Sequence, residues 1–335
     1  MSYKKVILNE FGGPEVLRVV EKATLPDPGT GEVRVKVLAA SATFTDTMVR
    51  KGIYYGFKET PPLSPGYDMV GLVDKLGAGV AGLKAGQMVA DLTIFGAYSE
   101  YMLRPANSLV PMPAGLDPAQ AVSMVLSYVT AYQMLHRIAK VQRGHKILVH
   151  GAGGAVGTAL LELGALLDLE MYGTASKTKH DLVARLGAVP IDYKSEDFLA
   201  KMQSIGGVDA VFDAISGDNF KRSFKSLKKG GMLVAYGFYN QALGRGGNVA
   251  KDYMNIALWN LLPNGRKAAF YSISDLRKKN PEWFKKDLTT LFGLLKEDQL
   301  KPSIEQRMKL EDAAQAHRLI EQAVVKGRIV LMISK

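Results

Sequence analysis

One stretch constrains this chain more than any other: Lys146-Ile-Leu-Val-His-Gly-Ala-Gly-Gly-Ala-Val-Gly157. An apolar run of strand length enters a glycine-rich turn and leaves straight into a helical pattern over 156–167. Glycines in such a turn let the backbone reverse sharply and come close to a ligand, and Gly157 lets the helix lie tightly on the strand. The helix begins with unsatisfied N–H groups and the positive end of its dipole, which suits a pyrophosphate. A glycine-rich run alone is weak evidence, but here the strand before it and the helix after it are both present. Dinucleotide binding is therefore a better reading than a tight turn with no ligand.

The surrounding pattern agrees. Short apolar strands at 146–150, 170–174, 189–192, 208–213, 231–237 and 267–272 alternate with helical intervals, including 179–186. That alternation predicts a doubly wound parallel sheet with helices on both faces. The first third is different. Alternating runs at 4–9, 32–39, 69–76 and 87–92 are separated by turn signals such as PDPGTG and GAGVAGLKAG, which predicts a partly open β-barrel. Asp117-Pro118 reads as a helix start, followed by helices over 119–125 and 128–138. The tail predicts a helix over 281–295, a strand over 304–310, a helix over 310–325 and a strand over 328–333, which returns to the β-rich domain. With 335 residues, two domains are expected: 1–125 completed by 300–335, and 126–299.

Which dinucleotide is read from the end of the next strand. NAD-binding units carry an acidic residue about twenty positions on, to hold the ribose 2′-hydroxyl. Here that place holds Ser176, in Tyr172-Gly-Thr-Ala-Ser176, with Lys177 and Lys179 directly after it. Hydroxyls and cations without a carboxylate suit a 2′-phosphate and favour NADP(H). Cations at a helix start oppose the dipole, which makes a phosphate-binding role for them more credible.

Composition excludes several classes. The chain has no cysteine, so disulfides, thiolate nucleophiles and cysteine-bearing zinc sites are all ruled out. The five histidines (136, 145, 150, 180 and 317) have no ligand spacing, and no metal is expected. No apolar run approaches the length of a membrane span, and the N-terminus lacks the pattern of a signal peptide, so a cytoplasmic location is expected. The net charge is +11, with basic clusters at 221–229 and around 277–286. A solvated surface explains them better than a nucleic-acid interface does. In the first cluster Phe224 and Leu227 are spaced as one buried helix face.

Several segments in order resemble the zinc-free, quinone oxidoreductase-like (ζ-crystallin/VAT-1-like) branch of the medium-chain dehydrogenase/reductase superfamily. They are Phe11-Gly-Gly-Pro-Glu-Val-Leu17, Asp46-Thr-Met-Val-Arg-Lys-Gly-Ile-Tyr54, Pro65-Gly-Tyr-Asp68, the glycine-rich loop, Gly173-Thr-Ala-Ser176, Ile191-Asp-Tyr193 and Tyr236-Gly-Phe238. The resemblance implies a GroES-like substrate domain and a Rossmann domain. Thr43 and Tyr67 stand where zinc-dependent members carry ligands. It implies cofactor contacts from Thr130, Gly153, Gly154, Ala155, Val156, Gly157, Ser176, Lys179, Tyr193, Ala214, Gly237 and Phe238. It also implies a substrate pocket at Thr43, Tyr54 and Tyr67, with Thr43 and Tyr54 as donors to the developing oxyanion. Asp46 reads as structural. The implied activity is NADPH-dependent, zinc-free hydride transfer to a quinone or an α,β-unsaturated carbonyl. The alternatives are a 2-enoyl thioester reductase and a non-catalytic cofactor-binding interaction protein of the ζ-crystallin/VAT-1 kind. The apolar strand over 267–272 is expected at a sheet edge, inviting a homodimer.

Overall fold

The computed structural model describes residues 1–333. Its strands run β1 (Tyr3–Ile7), β2 (Arg18–Lys22), β3 (Glu32–Ala42), β4 (Met69–Leu76), β5 (Met88–Asp91), β6 (Tyr101–Pro105), β7 (Val110–Pro111), β8 (Lys146–His150), β9 (Glu170–Ala175), β10 (Ala188–Asp192), β11 (Val208–Asp213), β12 (Leu227–Ala235), β13 (Lys267–Phe270), β14 (Ile304–Lys309) and β15 (Arg328–Met332). They divide between two compact units, Met1–Val129 with Glu282–Lys335, and Thr130–Pro281. The sequence placed these limits at 125/126 and 299/300. The observed grouping differs because periodicity marks where a helix lies, not which core it joins: Pro281–Lys296 is a helix, as expected, yet nearly all of it groups with the first unit.

The first unit is the GroES-like β-rich domain. Its large sheet has the order β14-β15-β3-β4-β5-β7, and β6 also pairs with β3. Strand β3 is the hinge of the barrel: Glu32–Lys36 pair with β6, while Ala39–Ala42 pair with the C-terminal strand β15. Its alternation explains the switch. Val33, Val35 and Val37 are buried every second residue, whereas Ala39–Ala42 are all buried, and small side chains let the strand be covered on both faces. The core gathers Val33, Val35, Met69, Val89, Tyr98, Ile329 and Leu331.

The second unit is a Rossmann domain with a six-stranded, all-parallel sheet in the order β10-β9-β8-β11-β12-β13. The chain runs outward from β8 to β9 and β10, then returns to the other side of β8 as β11. The strand order therefore switches between β8 and β11, which is where ligands bind in open α/β sheets. In the basic cluster the structure corrects the reading of one helix. The helix is Asp218–Lys225, its buried aromatic pair is Phe220 and Phe224, and Leu227 begins β12. Part of that charge is already paired, Arg222 with Asp197 at 2.5 Å and Lys228 with Asp209 at 2.5 Å.

Candidate functional site

In the second unit the phosphate loop is built by close approach of backbones. Gly154 is the N-cap of the helix Ala155–Leu166, directly after β8. A Cβ on Gly157 would stand 2.3 Å from the Gly151 carbonyl oxygen and 2.7 Å from Ala152 Cα, so no other residue fits without moving the loop. A Cβ on Gly153 would meet the Lys179 side chain at 2.7 Å, so the stem of Lys179 lies across the loop. Ser176 follows β9 directly, and its hydroxyl is 3.1 Å from that of Thr178. Lys177–Lys179 form a single 3-10 turn before the helix His180–Arg185. Tyr193 follows β10 and is 58% exposed. Thus Lys179 lies against the glycine loop, three residues after Ser176, with no carboxylate from Tyr172 to His180.

Farther along the strand ends, Ala214 and Gly237 face each other: a Cβ on Gly237 would be 3.0 Å from that of Ala214. Phe238 caps the short helix Tyr239–Ala242 and stacks its ring on Phe270 at 4.7 Å, so its side chain is engaged with β13. Thr130 is buried in the helix Val129–Gln133.

Sequence reasoning missed a buried polar cluster beneath these loops. Asp213, at the end of β11, accepts from the Ile215 N–H (2.7 Å), the Asn219 amide (2.8 Å) and the Ser223 hydroxyl (2.6 Å). The Ser223 hydroxyl lies 3.0 Å from Nε2 of His150, whose Nδ1 lies 3.0 Å from Thr174 Oγ1. Burial holds the His150 pKa below its ordinary value, against the pull of Asp213. The cluster ties the ends of β8, β9 and β11 together and shapes the 214–217 turn. Its signal was a polar residue closing an apolar run, Val149-His150 and Phe212-Asp213.

In the first unit Tyr54 and Tyr67 come together, their hydroxyl oxygens 2.9 Å apart and their rings edge to face at 5.9 Å. Thr43 is placed otherwise. It is the N-cap of the helix Phe44–Arg50 in a capping box with Asp46. Its hydroxyl donates to Asp46 Oδ2 at 2.6 Å and accepts from the Asp46 N–H at 3.2 Å. The hydroxyl proton expected for the oxyanion is thus directed at Asp46. Asp46 is fully buried and also takes the Gly66 N–H at 3.0 Å. Burial raises its pKa to about 6, and that of the neighbouring buried Asp68, held by Ser41, to about 7. At the far end of the same helix the buried Arg50 meets Glu321 at 2.5 Å and His317 Nδ1 at 3.3 Å, and Tyr98 closes on His317 Nε2 at 3.2 Å. Burial, with Arg50 beside it, pushes His317 down to about 3.

Among the described residues no group of three or more His, Asp or Glu is arranged to hold a metal, and no helix is long and apolar enough to cross a membrane. The glycine loop fits a dinucleotide, since at Gly157 the loop packs backbone to backbone and the helix Ala155–Leu166 starts directly after the turn.

Known proteins match this arrangement over its whole length. The family model described as alcohol dehydrogenase GroES-like domain matches residues 29–114, and that described as zinc-binding dehydrogenase matches 186–331. A synaptic vesicle membrane protein VAT-1 homolog-like protein of Mus musculus is 31% identical over 99% of this chain and 82% of its own length. The quinone oxidoreductase of Rattus norvegicus is 29% identical over 97% of this chain and 96% of its own. The crystal structure of Escherichia coli quinone oxidoreductase complexed with NADPH superposes with a TM-score of 0.86 at 26% identity, covering 98% of this chain and 99% of that one. The chain belongs to the medium-chain dehydrogenase/reductase superfamily. Within it, the chain falls in the branch of the quinone oxidoreductases and VAT-1 homologues.

Proposed function

We propose that this chain is an NADPH-dependent oxidoreductase that reduces a quinone or an α,β-unsaturated carbonyl without zinc. The observation that carries the reading is the turn after β9, where the Lys179 side chain lies against Gly153, Ser176 stands at the start of the same turn, and no carboxylate opposes a 2′-phosphate. In this reading the second unit holds the cofactor through Gly153–Gly157, Ser176, Lys179 and Tyr193. Thr130, Ala214, Gly237 and Phe238 complete the contacts, Phe238 through its backbone, because its ring is engaged elsewhere. The first unit receives the acceptor. Bound NADPH supplies the hydride. The chain supplies orientation and a polar contact for the oxygen that gains charge, which we assign to the Tyr54–Tyr67 pair.

The test is steady-state oxidation of NADPH and NADH against quinones, alkenals and enoyl thioesters, with dissociation constants for both cofactors. Two effective charge-assisted bonds to the 2′-phosphate predict a preference for NADPH on the order of 100-fold. Lys179→Ala is expected to remove about tenfold of it and to leave NADH binding nearly as it was. Equal affinity for the two cofactors in the parent overturns the assignment. Turnover confined to enoyl thioesters favours the enoyl reductase reading, and cofactor binding with no turnover favours an interaction protein.

A cytoplasmic location, without a nucleic-acid partner, belongs to the same reading. So does a homodimer, by a route other than strand pairing. β13 lies at the sheet edge, but the Asn260 side chain already takes both the N–H and the carbonyl of Ala268, at 2.8 Å each. Beside it Met254, Leu258, Leu261 and Leu262 are 48–79% exposed, and we assign the self-association to them. A single-chain mass by light scattering at micromolar concentration counts against it.

A further inference from the structure

In the second unit, the chain leaves β11 by a turn that few residues adopt. Ser216 has φ +76° and Gly217 φ +64°, so two successive residues are left-handed, and Ser216 is fully buried. A residue other than glycine keeps such a conformation only where its surroundings impose it. Here they are the segment that follows β12. Its backbone lies against the turn, with the Tyr239 N–H donating to the Ala214 carbonyl and the Asn240 N–H to the Ile215 carbonyl, each at 3.0 Å. Two of its side chains then close a ring of hydrogen bonds with the left-handed pair. The Ser216 hydroxyl donates to Gln241 Oε1. The Gln241 amide donates to Asp252 Oδ2 at 2.7 Å, and the same oxygen accepts the Gly217 N–H at 3.2 Å.

Neither side chain is taken up by its own element. The helix Val249–Trp259 is capped by Asn248, which accepts the Lys251 N–H at 3.0 Å, so the buried Asp252 is left to serve the turn. Gly247, at φ +101°, passes so close to Gln241 that a Cβ there would stand 2.6 Å from its Nε2. The amide is held between Gly247 and Asp252. A carboxylate suits the ring because it accepts from two donors at once. Burial raises the pKa of Asp252, and the bonds from Gly217 and Gln241 oppose that rise. The charges that act on it are Asp213, behind the same turn, which raises it further, and Lys251, its neighbour on the helix, which lowers it.

We infer that Gln241 and Asp252 are positioning residues for the cofactor: their clasp on Ser216 and Gly217 holds the turn after β11 in its left-handed form, and that form is the one that binds the dinucleotide. This deepens the proposed function and rests on its placement of the cofactor in the second unit. The turn borders the crevice where the strand order switches, since β11 is one of the two strands that flank it. Released from the clasp, Ser216 relaxes out of the left-handed region, and Ala214, two residues before it, moves with the turn. The clasp follows β11 and β12, whereas Ser176 and Lys179 follow β9, on the far side of β8. It therefore acts on NADPH and NADH alike, and sets how tightly a dinucleotide is held rather than which one.

The experiment measures dissociation constants on the full chain, for NADP⁺ by calorimetry and for NAD⁺ by competition with it. Gln241→Met keeps the length of the side chain and breaks both of its bonds. It is expected to weaken NADP⁺ and NAD⁺ alike, by about tenfold, with their ratio within about twofold of the parent's. Gln241→Glu keeps an oxygen for the Ser216 hydroxyl but sets a second carboxylate against Asp252. Two carboxyl groups in contact close the ring only while they share a proton. Relative to the parent at the same pH, this variant is expected to bind NADP⁺ within about threefold at pH 5.5 and about tenfold more weakly at pH 8. Referring each value to the parent removes the titration of the cofactor's own phosphate. Recovery on acidification separates an opened clasp from a misfolded chain. Three outcomes overturn the clasp: Gln241→Met binding NADP⁺ within twofold of the parent, a loss confined to NADP⁺, or Gln241→Glu equally weak at both pH values. Equal affinities of the parent for the two cofactors overturn the 2′-phosphate assignment instead, and the common loss in Gln241→Met still supports the clasp. A parent that binds neither cofactor overturns both.

Discussion

The phosphate loop of the second unit and the tyrosine–carboxylate cluster of the first are built from different parts of the chain. The loop is made of backbone: Gly153, Gly154 and Gly157 contribute by having no side chain, and the loop is specified within twelve consecutive residues. The cluster depends on side chains from distant segments, with Ser41, Asp46 and Tyr54 meeting Asp68, the Gly66 N–H and Tyr67. A device of the first kind tolerates almost no added volume. One of the second kind is sensitive to protonation.

The largest effect should come from added volume. Gly157→Val puts a branched side chain where even a Cβ would be 2.3 Å from the Gly151 oxygen. Forcing the helix Ala155–Leu166 off β8 is expected to destabilise the fold by about 3 kcal/mol. It should also weaken NADPH by about 100-fold or more, because the helix N-terminus no longer points at the phosphates. Urea unfolding and calorimetric titration measure the two effects. A variant that binds NADPH within a few-fold of the parent would mean that the loop is more pliant than its contacts imply.

This difference in construction also decided what could be read from the sequence. The loop and the parallel strands were legible because each is a local pattern: strand, turn and helix in one stretch, or an alternation of apolar residues; the last strand could be assigned to the first domain, but its pairing with β3 could not. The helix Phe44–Arg50 was not, although Thr43 and Asp46 have the spacing of a capping box; its seven residues are too few for a periodic signal. The partnership of Tyr54 with Tyr67 was nearly legible, since both were singled out, but thirteen residues of separation say nothing about a 2.9 Å contact. The cap at Thr43 went unread for a related reason. Its position suggested a donor, while the acceptor that occupies it, Asp46, was set aside as structural. The link of the Asp213 cluster to His150 and the Arg50–His317 contact depend on tertiary contacts across 73 and 267 positions.

Protonation sharpens the comparison from the other side. The folded-state pKa of Asp46 is raised from 3.8 to about 6, so between those values the folded chain holds a proton that the unfolded chain has released. Stability from this group is therefore full below about pH 4 and falls as pH rises through about 6. A shift of this size corresponds to about 3 kcal/mol. Asp46→Asn keeps an acceptor for the Gly66 N–H but cannot ionise. Its stability relative to the parent is expected to rise by about that amount between pH 4 and pH 7, measured by urea unfolding at each pH. His317 acts with the opposite sign. Its pKa is depressed to about 3, so its contribution is lost as pH falls from about 6.5 toward 3, and Asp46→Asn should leave that acid limb in place. A difference between parent and variant that stays constant with pH would mean that Asp46 remains ionised in the fold.

The smallest effect is the most informative about Thr43, because it separates a cap from a catalyst. The Thr43 hydroxyl donates to Asp46 and accepts from the Asp46 N–H, as an N-cap does. Losing such a cap costs about 1 kcal/mol of stability. Removing a donor to an oxyanion costs about 100-fold or more in kcat. Thr43→Val keeps the shape and removes the hydroxyl. If the cap is its whole role, unfolding moves by about 1 kcal/mol while kcat stays within about threefold. Tyr54→Phe should show the converse, with little change in unfolding and about tenfold lost from kcat for an enone. The loss should be less for a quinone, whose reduced form holds charge more readily and can take a proton from water. Running both variants against both acceptors makes the assignment of the oxygen contact depend on the pattern of four ratios. A fall in kcat for Thr43→Val as large as that for Tyr54→Phe would return the threonine to the acceptor and require Asp46 to release it.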